Sequence, residues 1–353
     1  MSSYAETKVE LVEFFNKLKY HNLPLAIDDM SLSYHIGIHN KTLWWLIHTK
    51  KDRYRVFEIP KRGHQDHKMR SIQNPEYRLK NVQRIILSKF LVPIPLGPHI
   101  GAYVPGRSCM STAQQHVKKG VIISMDIKNF FPAVKRAMIR RYFNYVGYPH
   151  RVSSLLADLL TFADFVPQGA PTSGAIANLV ADNRFDGNIL EDLKKFDPRW
   201  VYTRYSDDID ISHPESQNRE QVRGIIELVK KRIQDAGFQV NDKKTKTEHR
   251  WNRQKVLGVV VNEKPNIPRY EYMRVRCLIH NCMMHGFETQ LERAGKSTVP
   301  DLLSYIRGKI SYFKQIDESK SEHLLTKLDA AVQMHQAEGK LNEADFGTKP
   351  EPA

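Results

Sequence analysis

Cysteine is scarce in this chain. Only Cys109, Cys277 and Cys282 occur, and an odd, low count excludes a disulfide framework and fits a reducing compartment. Long apolar runs are missing too. None approaches the roughly 18 residues that a membrane span needs. The N-terminal stretch MSSYAETKVELVEFF is broken by Glu6, Glu10 and Glu13, so it lacks the uninterrupted apolar region of a signal peptide. A soluble, cytoplasmic protein with no membrane partner is expected. Acidic residues are also under-supplied. There are 39 Asp and Glu against 54 Lys and Arg, a formal charge of +15. That imbalance favours a polyanionic partner, and nucleic acid over a lipid surface.

What is present can build a large core. The chain has 353 residues, 41% of them apolar and 10% aromatic, enough for two or three subdomains. Helical periodicity runs over 6–20, and two short helices flank Gly37 within 30–49. The second could end a helix-turn-helix, but it carries no recognition-helix signature and reads better as a helical cap. Strands are expected at 54–59 and 69–73 around a polar connection, with a helix over 76–91 and a loop over 93–107. A buried strand at 121–127 ends near Asp126, before helices at 135–146, 150–163 and 174–195. A strand-turn-strand follows at 199–212, then a helix at 218–236 and strands at 238–241, 245–248 and 255–262. Helices at 270–286, 299–314 and 319–335 close the fold. The last residues, poor in apolar side chains, are expected to be disordered. Strands in the middle and a helical C-terminal third give an α+β class.

Three carboxylates stand where apolar strands should be buried. Asp126 ends one strand, and Asp207 and Asp208 fall at the junction of two more. An adjacent acidic pair is common at a solvated turn. If the strands are neighbours, however, three like charges meet at one sheet edge, and divalent cations with oxygen ligands relieve that repulsion. Two such ions could clamp the attacking and leaving oxygens of a phosphoryl transfer. Between these positions, VPQGAPTSGAIANL opens a helix with small residues, so its backbone can approach a ligand closely.

Taken in order, SMDIKNFFP, QGAPTSGAIANL, YSDD, VNDKKT and VLGVVVN resemble the successive motifs of reverse transcriptases, and most closely those of the bacterial retron type. The resemblance covers about residues 30–330. It implies a right-hand polymerase: an N-terminal helical region over 1–54, fingers over 55–125, and a palm with an antiparallel sheet over 126–265. A fingers insertion at about 133–165, a helical thumb over 266–335 and a tail over 336–353 complete it. Asp126, Asp207 and Asp208 match the metal-binding carboxylates of a two-Mg²⁺ centre, with the Ile127 carbonyl as a further ligand. Phe131 matches the aromatic gate beside the nucleotide sugar, where a ring disfavours a ribose 2′-OH. Gln168 and Gly169 match the element lining nucleotide and template. Lys68 and Arg70 resemble residues that grip the triphosphate, and Arg70 suits bidentate phosphate contact better. Lys244, or its neighbour Lys243, matches the lysine near the leaving pyrophosphate.

The retron resemblance further implies a structured noncoding RNA as template and primer, dNTPs as substrates, and a branched 2′-5′-linked RNA–DNA product. It also implies an effector protein and a role in anti-phage defence. No fused nuclease, protease or integrase is expected. Three positions depart from the retron pattern: Thr112 replaces an Asn before Ala113 and His116, Leu257 replaces a Thr, and Ser206 stands where Ala is commoner in YxDD. Other bacterial reverse transcriptases remain alternatives: diversity-generating, group II intron-like or abortive-infection types. A nucleoprotein scaffold that restrains a toxic effector is another.

Two further patterns need weighing. Cys277, His280, Cys282 and His285 have zinc-ligand chemistry. On a helix at about 100° per residue they spread over some 200° and cannot converge on one ion. Lys243, Lys244, Lys246, Arg250, Arg253, Lys255, Arg269, Arg274 and Arg276, with Tyr270, Tyr272, Tyr305 and Tyr312 interleaved, form a basic, aromatic tract. That composition suits an RNA or RNA–DNA duplex.

Overall fold

Five of the six residues in VIISMD are buried, and they form the central strand β3 (Val121–Asp126). The computed structural model describes residues 15–60 and 69–339. Lys68, residues 6–14 of the helix expected over 6–20, and the last fourteen residues lie outside them. Two strands precede β3: β1 (Tyr54–Pro60) and β2 (Met69–Pro75), an antiparallel pair with Tyr54 opposite Pro75 and Ile59 opposite Arg70. Beyond β3 come β4 (Val201–Tyr205) and β5 (Asp208–His213). The fourth strand of this sheet is β6 (Lys246–His249). The sheet order is β4-β5-β3-β6, so β5 is buried between two partners.

The chain forms two compact units. One comprises residues 1–109 and 121–247, the other 110–120 and 248–353. In the first, alternation along the strands decides what faces the helices. Val121, Ile123 and Met125 on β3 and Ile209 and Ile211 on β5 are fully or almost fully buried. They share one apolar core with Ile176, Leu179 and Val180 of the helix Ser173–Ala181. The opposite face carries Ser124, Asp126, Asp208 and Asp210. Leu32, Ile36, Leu43 and Leu46 of the helices Asp29–Ile36 and Asn40–His48 enter the same core. Those helices are a packed cap, as the absence of a recognition signature suggests.

The helix expected over 174–195 is interrupted. A π-helical turn, Asp182–Asp186, separates Ser173–Ala181 from Gly187–Phe196. Such turns widen a helix locally and change which residues share a face. The strand expected at 238–241 does not form. Val240 makes one isolated bridge to Ile127, because the chain leaves Gly237 in a left-handed conformation (φ 87°) and enters the short turn Asp242–Lys244.

In the second unit the helices Arg269–His285, Val299–Lys314 and Glu318–Ala337 surround a core of Ile279, Leu302, Ile306, Phe313, Leu324 and Leu328. The first helix is continuous through Cys277 and His285, with Cys277 exposed and Cys282 buried. The zinc reading is thus excluded by geometry. Tyr272, Tyr305 and Tyr312 pack against this core, so much of the aromatic interleaving serves packing. Tyr270 stays 58% exposed. Among the described residues no helix is long and apolar enough to cross a membrane.

Candidate active site

The YSDD hairpin is a two-residue turn whose first residue is strained. Ser206 has φ 63°, a region that a non-glycine residue enters at a cost. The strain is held from behind by Arg204, which is fully buried. Its guanidinium donates to the Ser206 carbonyl at 3.1 Å and to Asn178 Oδ1 at 2.9 Å. It pairs with the buried Asp186 at 2.7 and 2.9 Å. The Tyr202 hydroxyl also donates to Asp186, at 2.5 Å. Phe130 and Phe185 lie beside the guanidinium, 5.3 and 5.7 Å away. An unpaired charge here would be very costly, so the network is complete or the hairpin fails.

This arrangement aims the carboxylates. Asp126 and Asp208 are direct partners across β3 and β5. The Ile127 amide donates to the Asp207 carbonyl at 2.9 Å, tying the end of β3 to the turn. Asp126 is buried, and its carboxylate accepts from Asn241 Nδ2 at 3.2 Å and from Lys244 Nζ at 2.5 Å. That hydrogen bond to Asp126, more than any other influence, pushes the Lys244 ammonium pKa up. Asp208 is open to solvent at its strand end but crowded by protein elsewhere. Desolvation first, then Asp207 and Asp126, raise its carboxyl to about 6, opposed by Lys244 and Lys246. Three acids in one place thus hold one cation already and have charge left over. Oxygen donors with a surplus of negative charge are what a hard divalent ion takes. The bridge to Val240 is made by the neighbours of Ile127, since Lys128 donates to Gln239 and Asn241 to Asp126. That pairing leaves the Ile127 carbonyl out of the ladder. Asp210, two residues along β5 from Asp208, is buried and accepts from the Ser124 hydroxyl at 2.5 Å.

Among the described residues, the acidic group tight enough to share one ion is elsewhere: His99, Asp182 and Asp186, within 4.8 Å of one another. Arg204 and Tyr202 already occupy Asp186, and His99 lies 2.8 Å from Asp182. It is an ion-pair network that supports the hairpin.

The other candidate residues are distributed around the sheet end. Phe130 is buried core, while Phe131 is half-buried and sets its ring edge-on to Tyr103, 6.0 Å between centroids. The Gln168 backbone N–H donates to Gln73 Oε1 at 2.8 Å, while the Gln73 backbone N–H donates to the Gln168 carbonyl at 2.7 Å. Gly169 has φ 130°, and a Cβ there would stand 3.0 Å from the Gln73 carbonyl. Only glycine fits this close approach. Arg70 is exposed on β2, opposite Ile59, with no contact to the three carboxylates described. Reading the sequence missed Arg204, Asp186, Gln73 and Tyr103. It also missed Trp251, which is 73% exposed and stacked on His249 at 4.5 Å. Arg204 lies within YTRYSDD, and a charged residue at the inward phase of an apolar strand was the available signal.

Paired acids, a lysine and a close-approach glycine loop gathered at one end of the sheet are the parts that a nucleotidyl-transferring polymerase centre would use. The family model described as "Reverse transcriptase (RNA-dependent DNA polymerase)" matches residues 59–261, and the chain belongs to that family. Its curated relatives carry retron names. The Retron Mx65 reverse transcriptase of Myxococcus xanthus is 29% identical over 87% of this chain and 73% of its own length. The Retron Ec86 reverse transcriptase of Escherichia coli is 28% identical over 94% of this chain and 98% of its own. This is a retron-type RNA-directed DNA polymerase, and as a family member it takes an RNA template and nucleotides and works with divalent metal ions. Among solved structures, telomerase from Candida albicans aligns with a TM-score of 0.45 at 13% identity, covering 83% of this chain and 61% of that one. That likeness is too slight to carry weight.

Proposed function

We propose that the enzyme copies a structured noncoding RNA into a branched, 2′-5′-linked RNA–DNA product inside the cytoplasm. Residues 55–125 and the insertion near 133–165 act as fingers, 126–265 as palm and 266–335 as thumb. The pairing of Asp126 with Asp208 across adjacent strands, beside Asp207 at the turn, carries this reading. Asp126, Asp207 and Asp208, with the Ile127 carbonyl, would hold two Mg²⁺, which would supply electrophilic stabilisation of the charge developing on the phosphate.

The chain's own residues do the rest. A primer hydroxyl, first an internal guanosine 2′-OH and then the growing 3′-OH, attacks the α-phosphorus of a dNTP and gives up its proton to water. The P–O bond to pyrophosphate breaks. Lys244 donates its proton to that leaving group. Phe131 lies beside the sugar and disfavours a 2′-OH. Gln168 and Gly169, fixed to Gln73, line the nucleotide, and Arg70 and Lys68 grip the triphosphate. The basic tract around Arg250, Arg253, Arg274 and Arg276 grips nucleic-acid backbone. The product complex restrains an effector protein in anti-phage defence.

The test is to purify the full chain from cells carrying its native locus and sequence the nucleic acid that accompanies it. A branched RNA–DNA species of single sequence supports the reading. Random cellular RNA alone contradicts it.

A further inference from the structure

Tyr103 is held in a way that packing alone does not require. Its backbone is left-handed, φ 55°, unusual for an aromatic residue. The residue is 56% exposed, so burial does not account for the strain. The preceding residue is anchored, because Asn178 Nδ2 donates to the Ala102 carbonyl at 2.7 Å. The same Asn178 accepts from Arg204 behind the YSDD hairpin.

The ring itself rests on the start of the helix Ser173–Ala181. A Cβ on Gly174 would lie 2.3 Å from Tyr103 Cγ and 2.5 Å from Cδ1. Glycine in TSGA thus makes room for this ring. From that seat the ring meets Phe131 at 67°, an edge-on pair. Phe131 also meets Phe130, 5.6 Å away. Phe131 therefore touches two rings, the buried Phe130 and the exposed Tyr103, whose backbone holds it in place. Tyr103 also bears on Tyr205 of the hairpin, whose hydroxyl pKa is raised by burial with Cys109 and Tyr103 as lesser causes.

We infer that Tyr103 is a positioning residue for sugar selection: it blocks the direction in which Phe131 would otherwise swing, and so fixes the Phe131 ring against a 2′-hydroxyl. The inference rests on Phe131 being the sugar gate. Without Tyr103, Phe131 gains the space over Gly174, and ribonucleotides enter more readily. An edge-on aromatic pair is of a strength that corresponds to a loss of about two- to tenfold in discrimination.

The experiment measures single-nucleotide incorporation of dCTP and CTP by the full chain, on an RNA template with a DNA primer. The readout is the ratio of kcat/KM for the two substrates. Phe131→Ala should lower that ratio most. Tyr103→Ala should lower it about two- to tenfold, mainly through faster CTP use, and Tyr103→Phe should restore it. Tyr103→Leu fills part of the space over Gly174 and covers the case of an alanine variant that folds poorly; it should lower the ratio too, but less than Tyr103→Ala. If Phe131→Ala lowers the ratio while Tyr103→Ala and Tyr103→Leu leave it at the wild-type value, the inference is overturned and the gate stands. If Phe131→Ala leaves the ratio unchanged, the gate and the inference both fall.

Discussion

The Lys244 ammonium lies 2.5 Å from the Asp126 carboxylate, on the strand whose Asp126 faces Asp208. Lys243, one residue earlier, makes no such contact with it. Of two adjacent lysines that spacing alone left open, Lys244 is the one placed beside Asp126. Lys244→Ala should slow single-turnover dNTP incorporation by about a hundredfold or more, the usual scale of a lost general acid. Lys243→Ala should slow it less than about tenfold. Equal losses in rapid-quench measurements would remove the distinction.

Asp208 bears a charge that the metal-free protein does not want. Its carboxyl is raised to about 6 by desolvation and by Asp207 and Asp126. A raised carboxyl pKa means that ionisation at neutral pH weakens the fold. In EDTA at pH 7.5, Asp208→Asn should raise Tm while abolishing synthesis. Solvent exposure of the carboxylate keeps the gain to a few degrees. A lower Tm in scanning calorimetry would show that the carboxylate is stabilised by contacts and not crowded by like charge.

Arg204 presents the opposite case. It and Asp186 are both completely buried and pair at 2.7 Å. Arg204→Met leaves Asp186 as an uncompensated charge, and should cost about 3–5 kcal/mol in urea unfolding. Arg204→Met with Asp186→Leu should recover much of that loss. Failure of the double variant to recover stability would mean that Asn178 and Ser206, and not the ion pair, depend on the guanidinium.

His116 gives the second unit a pH dependence. Burial, and then Lys119, push its pKa from 6.5 down to about 3. The folded state keeps it neutral where the unfolded chain takes up a proton. Stability is therefore unaffected above about pH 6.5 and falls as pH drops below it, towards a ceiling of about 5 kcal/mol near pH 3. Replacing His116 with Asn should reduce the slope of unfolding free energy against pH by up to about 1.4 kcal/mol per pH unit between pH 6 and 4. An unchanged slope would place the titration elsewhere.

Much of this was legible in the sequence because it is local. The helices Arg136–Val146, Arg219–Asp235 and Val299–Lys314 follow their periodicity and caps almost to the residue. The hairpin around Ser206 and Asp207 follows from apolar alternation on both sides. What stayed hidden depends on distant partners. Nothing near Arg204 in the sequence names Asp186 or Asn178 as its acceptors, and nothing near Tyr103 names Gly174 as its seat. The grouping of residues 110–120 with the C-terminal unit is likewise a property of tertiary packing. Residues 238–241 have strand-forming side chains, but too few neighbours to pair with, so they form a bridge in place of a strand.

The most direct measurement is extension of a DNA primer on an RNA template by the purified full chain with Mg²⁺, comparing wild type with Asp207→Asn. The result expected is RNA-templated synthesis by the wild type. The variant should lose at least about a thousandfold in rate, the scale of several kcal/mol of metal-assisted stabilisation, at an unchanged Tm. Synthesis by Asp207→Asn at a rate near that of the wild type would contradict the assignment of this hairpin as the catalytic centre.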